Sequence, residues 1–141
     1  MDIDGYLLLC GTALLDQVET LADQGRLAEA RQLCERAVGQ DRLNLKGHLL
    51  LGAIYQEQGE LGAAVTAFRH AVYIAPDLAV GHAMLGSLLI RQGQRLSGRK
   101  SLRTAARLLE RLPQHEPIPE SGGLKAVSMW EIVQMALESE G

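Results

Sequence analysis

A 34-residue periodicity is the feature that most limits how this 141-residue chain can fold. Sliding the sequence against itself aligns residues 11–44, 45–78 and 79–112 as three consecutive copies. In the second copy, apolar, small and turn residues occupy positions 7, 8, 11, 15, 20, 24, 27 and 32: Leu51, Gly52, Tyr55, Gly59, Ala64, Phe68, Ala71 and Pro76. A period of this length is typical of stacked helix pairs, each of which needs a neighbour to bury its second face.

The other two copies keep much of this pattern. The third copy carries Leu85, Gly86, Leu89, Gly93, Gly98, Leu102 and Ala105 at the first seven positions. The first copy has Gln17 and Val18 at positions 7 and 8, in place of Leu and Gly, but keeps Leu21, Gly25, Ala30, Cys34 and Ala37. Glycine at position 15 suits the turn that ends a first helix, where φ is positive. Small residues at positions 8 and 20 let the two helices of a pair approach closely.

These positions resemble the signature of the tetratricopeptide (TPR) repeat. The resemblance implies an all-α solenoid of three helix-turn-helix repeats, and the 25 Leu and 17 Ala also favour helix over sheet. We expect helices at 11–23, 26–38, 45–58, 60–74, 79–92 and 95–111. Residues 1–10 are interpreted as an extension of the first helix and residues 113–123 as a Pro/Gly linker or turning loop.

Residues 124–141 predict a C-terminal capping helix that covers the third repeat. The pattern places Ala126, Trp130, Val133 and Leu137 on its buried face, with Val127 and Met135 beside them. Two alternatives stay open, namely a helix that leaves the stack and a helix that occupies the protein's own groove.

A more specific resemblance covers most of the chain. The strings HLLLGAIYQEQGELGAAVTAFRHAVYIAPD and LLERLPQHEPIPESGGLKAV are similar to the C-terminal TPR region of CheR-type chemoreceptor methyltransferases, most specifically between Glu116 and Leu124. In such proteins a separate domain uses S-adenosylmethionine to methylate receptor glutamates. No cofactor-binding loop is visible here, so the resemblance implies a non-catalytic recognition module without a cofactor. Its expected partner is a chemoreceptor cytoplasmic segment or the methyltransferase catalytic domain. The alternative is a generic TPR scaffold in an unrelated cytoplasmic assembly.

The first helices of a TPR array line a concave groove, and the resemblance implies that it binds protein. The expected groove residues are Thr12, Leu15, Glu19, Lys46, Leu49, Ala53, Gln56, Val80, Ala83, Ser87, Ile90 and Arg91. Leu49 and Ala53 stand where peptide-carboxylate clamps carry Lys and Asn, so an amphipathic helix or an extended peptide fits the groove better. A groove partly filled by the chain's own termini is the alternative.

Arginine also recurs every four residues near the end of the third repeat. We call Arg95, Arg99, Arg103, Arg107 and Arg111 the basic stripe. The stripe is either a solvated outer face or a surface for an acidic partner. Nucleic acid is disfavoured because the net charge is −3 and no aromatic residues interleave the stripe.

The cysteines and histidines are interpreted as structural residues and not as catalytic or metal-binding ones. Cys10 and Cys34 are too few for a disulfide framework, which favours a reducing, cytoplasmic compartment, and Cys34 occupies a core position. His48 and His82 share repeat position 4, so we expect both rings to pack between helices and no metal site. The apolar runs are too short for membrane insertion.

Overall fold

The computed structural model describes residues 14–118 and 124–140, and the regular structure in these ranges is helical apart from one isolated β-bridge. Helix α1 is described over residues 14–23. The others are α2 (Leu27–Gln40), α3 (Leu45–Glu57), α4 (Leu61–Ile74), α5 (Ala79–Arg91), α6 (Arg95–Glu110) and α7 (Ala126–Glu140). The predicted all-α repeat fold is confirmed, and the described helix ends lie close to those expected. The predicted start of the first helix and the extension at residues 1–10 lie outside the described residues.

The same turn ends the first helix of every repeat. Gly25, Gly59 and Gly93 adopt φ of 76°, 76° and 86°. In the first repeat, the Gly25 N–H donates to the Ala22 carbonyl at 3.0 Å and the Arg26 N–H donates to the Leu21 carbonyl at 2.9 Å. These two bonds define a Schellman motif, and equivalent bonds follow Gly59 and Gly93. Glycine is favoured here because a side chain is strained at positive φ.

The chain divides into two compact units, residues 1–67 and 68–141, and each is described by itself. In the first unit, α2 packs against α3. Its core joins residues from four helices: Val18, Ala30, Cys34, Leu51, Ile54 and Ala67. The Asn44 side chain caps α3 by accepting a hydrogen bond from the Gly47 N–H at 3.0 Å.

In the second unit, α5 and α6 approach closely at two glycines. A Cβ added to Gly98 would lie 2.8 Å from the Gly86 carbonyl oxygen and 2.6 Å from Cγ1 of Ile90. A Cβ on Gly86 would likewise lie 2.8 Å from the Gly98 carbonyl oxygen. The small residues predicted at positions 8 and 20 are therefore required by backbone contact in this repeat.

The C-terminal helix covers the other side of α6. Helix α7 packs against α6 and buries Ala126, Met129 and Val133. Met135 is 67% exposed, so its predicted place beside the buried face is wrong. It follows Ala126 by about two and a half turns and points the opposite way.

The described residues on either side of 119–123 pair with each other just before α7. The Ile118 N–H donates to the Leu124 carbonyl at 2.8 Å, and the Ala126 N–H donates to the Glu116 carbonyl at 3.3 Å. These bonds pair residues 116–118 with residues 124–126 in an antiparallel arrangement, and the Ile118 side chain is buried. The described ends of this loop therefore fix where α7 begins.

We predict that Gly98→Ala destabilises the protein by about 1–3 kcal/mol, because the new methyl group meets backbone that cannot move away easily. Gly39→Ala in α2 is the matched control, since an added Cβ there has nothing within 4 Å. Removing a helical glycine at that open site is expected to stabilise by up to about 1 kcal/mol. Urea unfolding followed by circular dichroism measures both changes, and equal effects would contradict the close-contact argument.

Candidate binding surfaces

The predicted groove residues that the structure describes lie on α1 and α3 of the first unit and on α5 of the second unit, and we call this set of residues the first-helix face. In the first unit, the Lys46 ammonium lies 3.0 Å from a Glu19 carboxylate oxygen, which places α1 and α3 side by side. Both side chains are 42% exposed, so the pair contributes little stability. It neutralises two of the charges that a ligand on this part of the face would meet.

Burial divides the first-helix face into supporting and accessible residues. Leu15, Leu49 and Ala83, which share repeat position 5, are all buried, and so is Val80. Ala53 and Gln56 of the first unit are exposed and half-buried, respectively. Thr12 lies outside the described residues. The buried members support the helices and do not offer contact surface.

On α5, in the second unit, three predicted residues are accessible. Ser87 and Arg91 are exposed, and Ile90 is half-buried. Small, exposed side chains thus stand at position 9 in both α3 and α5, namely Ala53 and Ser87.

The basic stripe does not form one uniform surface. Arg95, Arg103, Arg107 and Arg111 are exposed, but Arg99 is half-buried. The Arg99 guanidinium donates to the carbonyl oxygen of Leu137 at 2.8 Å. This carbonyl is among the last four of α7, which have no partner within the helix and carry the negative end of its dipole. Arg99 therefore fastens the end of α7 to α6.

A shallow cleft opens beside this contact, which we call the α6–α7 cleft. Its volume is about 500 Å³. The lining combines cations with an apolar floor: Lys100, Arg103, Ala106, Arg107, Gln134 and Leu137. Sequence reasoning missed the cleft, because nothing in the basic stripe shows which part of α7 lies next to it.

A second polar cluster, also missed, joins α2 and α3 in the first unit. The Arg31 guanidinium lies 4.9 Å from the centre of the Tyr55 ring and donates to Glu35 at 2.8 Å. The Tyr55 hydroxyl donates to the same Glu35 oxygen at 2.8 Å. The hydrogen bond from Arg31 lowers the pKa of Glu35, and partial burial raises the pKa of Tyr55. Because the hydrogen bonds and the ring contact of this cluster join its own three members, the cluster stabilises the pairing of α2 with α3.

The two histidines at repeat position 4 make the same contact in different units. Nε2 of His48 lies 2.8 Å from the Arg42 carbonyl, and Nε2 of His82 lies 2.7 Å from the Pro76 carbonyl. A carbonyl only accepts, so Nε2 carries the hydrogen in both rings. Arg42 and Pro76 share repeat position 32, and each bond pins the turn that connects one repeat to the next. In the part of the chain that the structure describes, no three side chains form a metal-binding group.

Cys34 is a core residue, as predicted. Its side chain is fully buried and its thiol donates to the Gly47 carbonyl, with sulfur and oxygen 3.2 Å apart. Burial raises the pKa of this thiol to about 12. The reactive form of cysteine is the thiolate, which such a pKa suppresses at neutral pH. Cys10 lies outside the described residues.

None of the helices described is long and apolar enough to cross a membrane.

Comparison with known proteins identifies the family. Residues 21–95 match the model of the tetratricopeptide repeat, which is more than half of the chain. The chain belongs to the tetratricopeptide repeat family and is a protein-interaction module.

Two curated relatives share sequence with it. The chain is 32% identical to the "Probable biofilm formation methyltransferase WspC" of Pseudomonas aeruginosa over 92 residues, 65% of this chain and 22% of that protein. It is 38% identical to the "Cellulose synthase operon protein C" of Xanthomonas axonopodis pv. citri over 109 residues, 77% of this chain and 7% of that protein. The chain thus spans less than a quarter of either relative's length.

Among solved structures, the chain resembles the type III secretion chaperone SycD of Yersinia enterocolitica in complex with a peptide of the translocator YopD. The TM-score is 0.79 at 16% identity, covering 92% of this chain and 90% of that chain. At this identity the likeness shows a shared fold.

We predict that Arg99→Ala loosens α7 and lowers stability by about 1 kcal/mol, because it removes a charge-assisted bond to the helix end. Arg103→Ala is the matched control, one step along the stripe and exposed, and it should change stability by less than about 0.5 kcal/mol. Thermal unfolding and amide hydrogen exchange of α7 measure the difference. Equal exchange rates in the two variants would contradict the fastening role of Arg99.

We also predict that Cys34 resists thiol reagents in the native protein at pH 8. A pKa of about 12 leaves almost no thiolate at that pH, and burial blocks access. The Cys10→Ser variant isolates the signal, with the urea-unfolded variant as the control that should react fully. Rapid labelling of the folded variant would contradict the buried, protonated thiol.

Proposed function

We propose that this chain is the recognition module of a chemoreceptor-type methyltransferase, and that its first-helix face binds a segment of the partner protein. The observation that carries the proposal is the 32% identity to a methyltransferase over 92 residues. The Glu116–Leu124 tail, which resembles the corresponding element of CheR-type enzymes, supports the same assignment. Binding there would steer which receptor glutamates are modified.

The accessible residues of the first-helix face support peptide recognition in each unit. Ala53 and Ser87 are exposed and short, so a partner side chain can approach the helix backbone beside them. Gln56 and Ile90, at position 12 of the same repeats, are half-buried and offer one polar and one apolar contact. This mixture suits an amphipathic helix or an extended segment better than a carboxylate clamp.

Two partners fit the proposal: a cytoplasmic segment of a chemoreceptor, and the catalytic domain of the methyltransferase itself. Both place the chain in the cytoplasm, in agreement with the compartment expected from its cysteines.

A generic scaffold role is the second candidate. The 38% identity to a cellulose synthase operon protein favours it, since that relative belongs to a different system. The fold shared with a chaperone that was solved with a bound peptide is equally compatible with either role.

We predict that Ala53→Arg weakens binding of a chemoreceptor cytoplasmic fragment at least about tenfold, because a long side chain fills the space beside α3. Thr66→Arg is the matched control, since it adds the same side chain at an exposed position of α4 in the same unit. Calorimetric titration measures both, and a parallel titration with the isolated catalytic domain tests the other partner.

Binding of either partner that Ala53→Arg weakens and Thr66→Arg does not would support the proposal. Equal binding by the two variants would remove the first-helix face from the mechanism. Failure of the unmodified chain to bind either partner would favour the generic scaffold.

A further inference from the structure

Three cations lie on one side of α6 and form no ion pair with another described residue. At about 100° per residue, Lys100, Arg103 and Arg107 lie within about 60° of one another and span about 10 Å along the helix. Within the described residues they form no ion pair, and Arg107 only donates to the Thr104 hydroxyl at 3.3 Å. Glu110 lies on the same side of α6 but accepts a hydrogen bond from the Trp130 indole at 3.4 Å, and it forms no ion pair with the three cations. Glu131 and Glu138, on the neighbouring helix α7, are not paired with them either. This side of α6 therefore carries a net positive charge.

The α6–α7 cleft adds an apolar floor beside these cations. Ala106 is buried and Leu137 is half-buried, and Gln134 completes the wall on α7. The cavity of about 500 Å³ has room for an apolar side chain together with the backbone that carries it. Because Arg99 bonds to Leu137, the α7 wall is held in place before any ligand arrives.

We propose that the α6–α7 cleft binds an acidic segment of a partner protein, which sets an apolar side chain against Ala106 and Leu137 and carboxylates against Lys100, Arg103 and Arg107. Charge complementarity selects the occupant, since unpaired cations attract an acidic segment and repel a basic one. The apolar floor of Ala106 and Leu137 requires, in addition, at least one apolar residue between the acidic residues of the bound segment. This surface is separate from the first-helix face and does not depend on the function proposed above.

A protein segment fits this cleft better than nucleic acid. Binding of single-stranded nucleic acid relies on aromatic side chains that stack on bases, and the residues lining the cleft include none. The chain also has a net charge of −3, so no overall basic field favours a polyanion.

A designed peptide tests the proposal directly. The probe is a fluorescent helix-forming peptide with Glu at positions i, i+3 and i+7, which match the spacing of the three cations, and Leu at i+4. Two matched peptides replace the three Glu by Gln or the Leu by Ser. Fluorescence anisotropy with the full chain, at about 50 mM and about 500 mM salt, measures affinity and its electrostatic part.

We expect saturable binding that weakens in high salt, with weaker binding of both matched peptides. Arg103→Glu should lower the affinity about tenfold relative to Arg69→Glu, an equal charge reversal at an exposed position of α4 in the same unit. Nuclear magnetic resonance shifts at the Ala106 and Leu137 methyl groups should report the bound peptide.

Several outcomes would overturn the proposal. Equal losses in Arg103→Glu and Arg69→Glu would show that net charge alone attracts the peptide, and shifts at Ala53 would place it on the first-helix face. Absence of saturable binding would exclude an acidic occupant. Self-association of the chain that Arg103→Glu abolishes, without peptide binding, would assign the cleft to a second copy. Since the chemoreceptor titration uses a different surface, it can fail or succeed independently of this test.

Discussion

The close approach of backbones at Gly86 and Gly98 sets the geometry on which the second unit depends. Each glycine lacks the Cβ that would meet the other's carbonyl at 2.8 Å, so α5 and α6 lie nearly in backbone contact. This contact turns Leu102 and Leu109 inward, where both are almost fully buried. It also fixes which side of α6 remains for α7. Two missing methyl groups therefore determine the position of the helix that forms one wall of the cleft.

Much of the fold was predictable because the repeat carries two independent signals. The spacing of its apolar residues indicates which helix faces are buried, and its glycines indicate where the first helices end. Gly25, Gly59 and Gly93 end their helices at positive φ, as expected from position 15. The face of α7 was less predictable, since it lies outside the repeat. Met129 is buried and Met135 is exposed. Which of the two faces the core depends on how α7 is rotated about its axis, and packing against α6 determines that rotation.

The sequence predicts which helices carry the candidate surfaces, but it does not predict how deeply each of their residues is buried. Repeat positions identify the helices that carry the first-helix face, but they do not show that position 5 is buried in every repeat, as at Leu15, Leu49 and Ala83. How deeply a residue is buried depends on what packs over it, and a 34-residue template carries no such information. The histidines show the same limit, since the pattern indicated packing and the structure adds a specific bond to a turn carbonyl.

The basic stripe shows how one spacing produces two physical roles. Arginines four residues apart advance about 40° around the helix at each step, so Arg95 and Arg111 differ by about 160°. Such a stripe cannot face a single neighbour along its whole length. Where it passes the end of α7, Arg99 is drawn to the Leu137 carbonyl and becomes structural. One step later, Arg103 has already rotated away from that carbonyl and lies at the cleft, with its charge unpaired among the described residues. The residue that holds the wall and the residues that face a ligand are therefore different members of the same series, which keeps the stability of α7 separate from recognition.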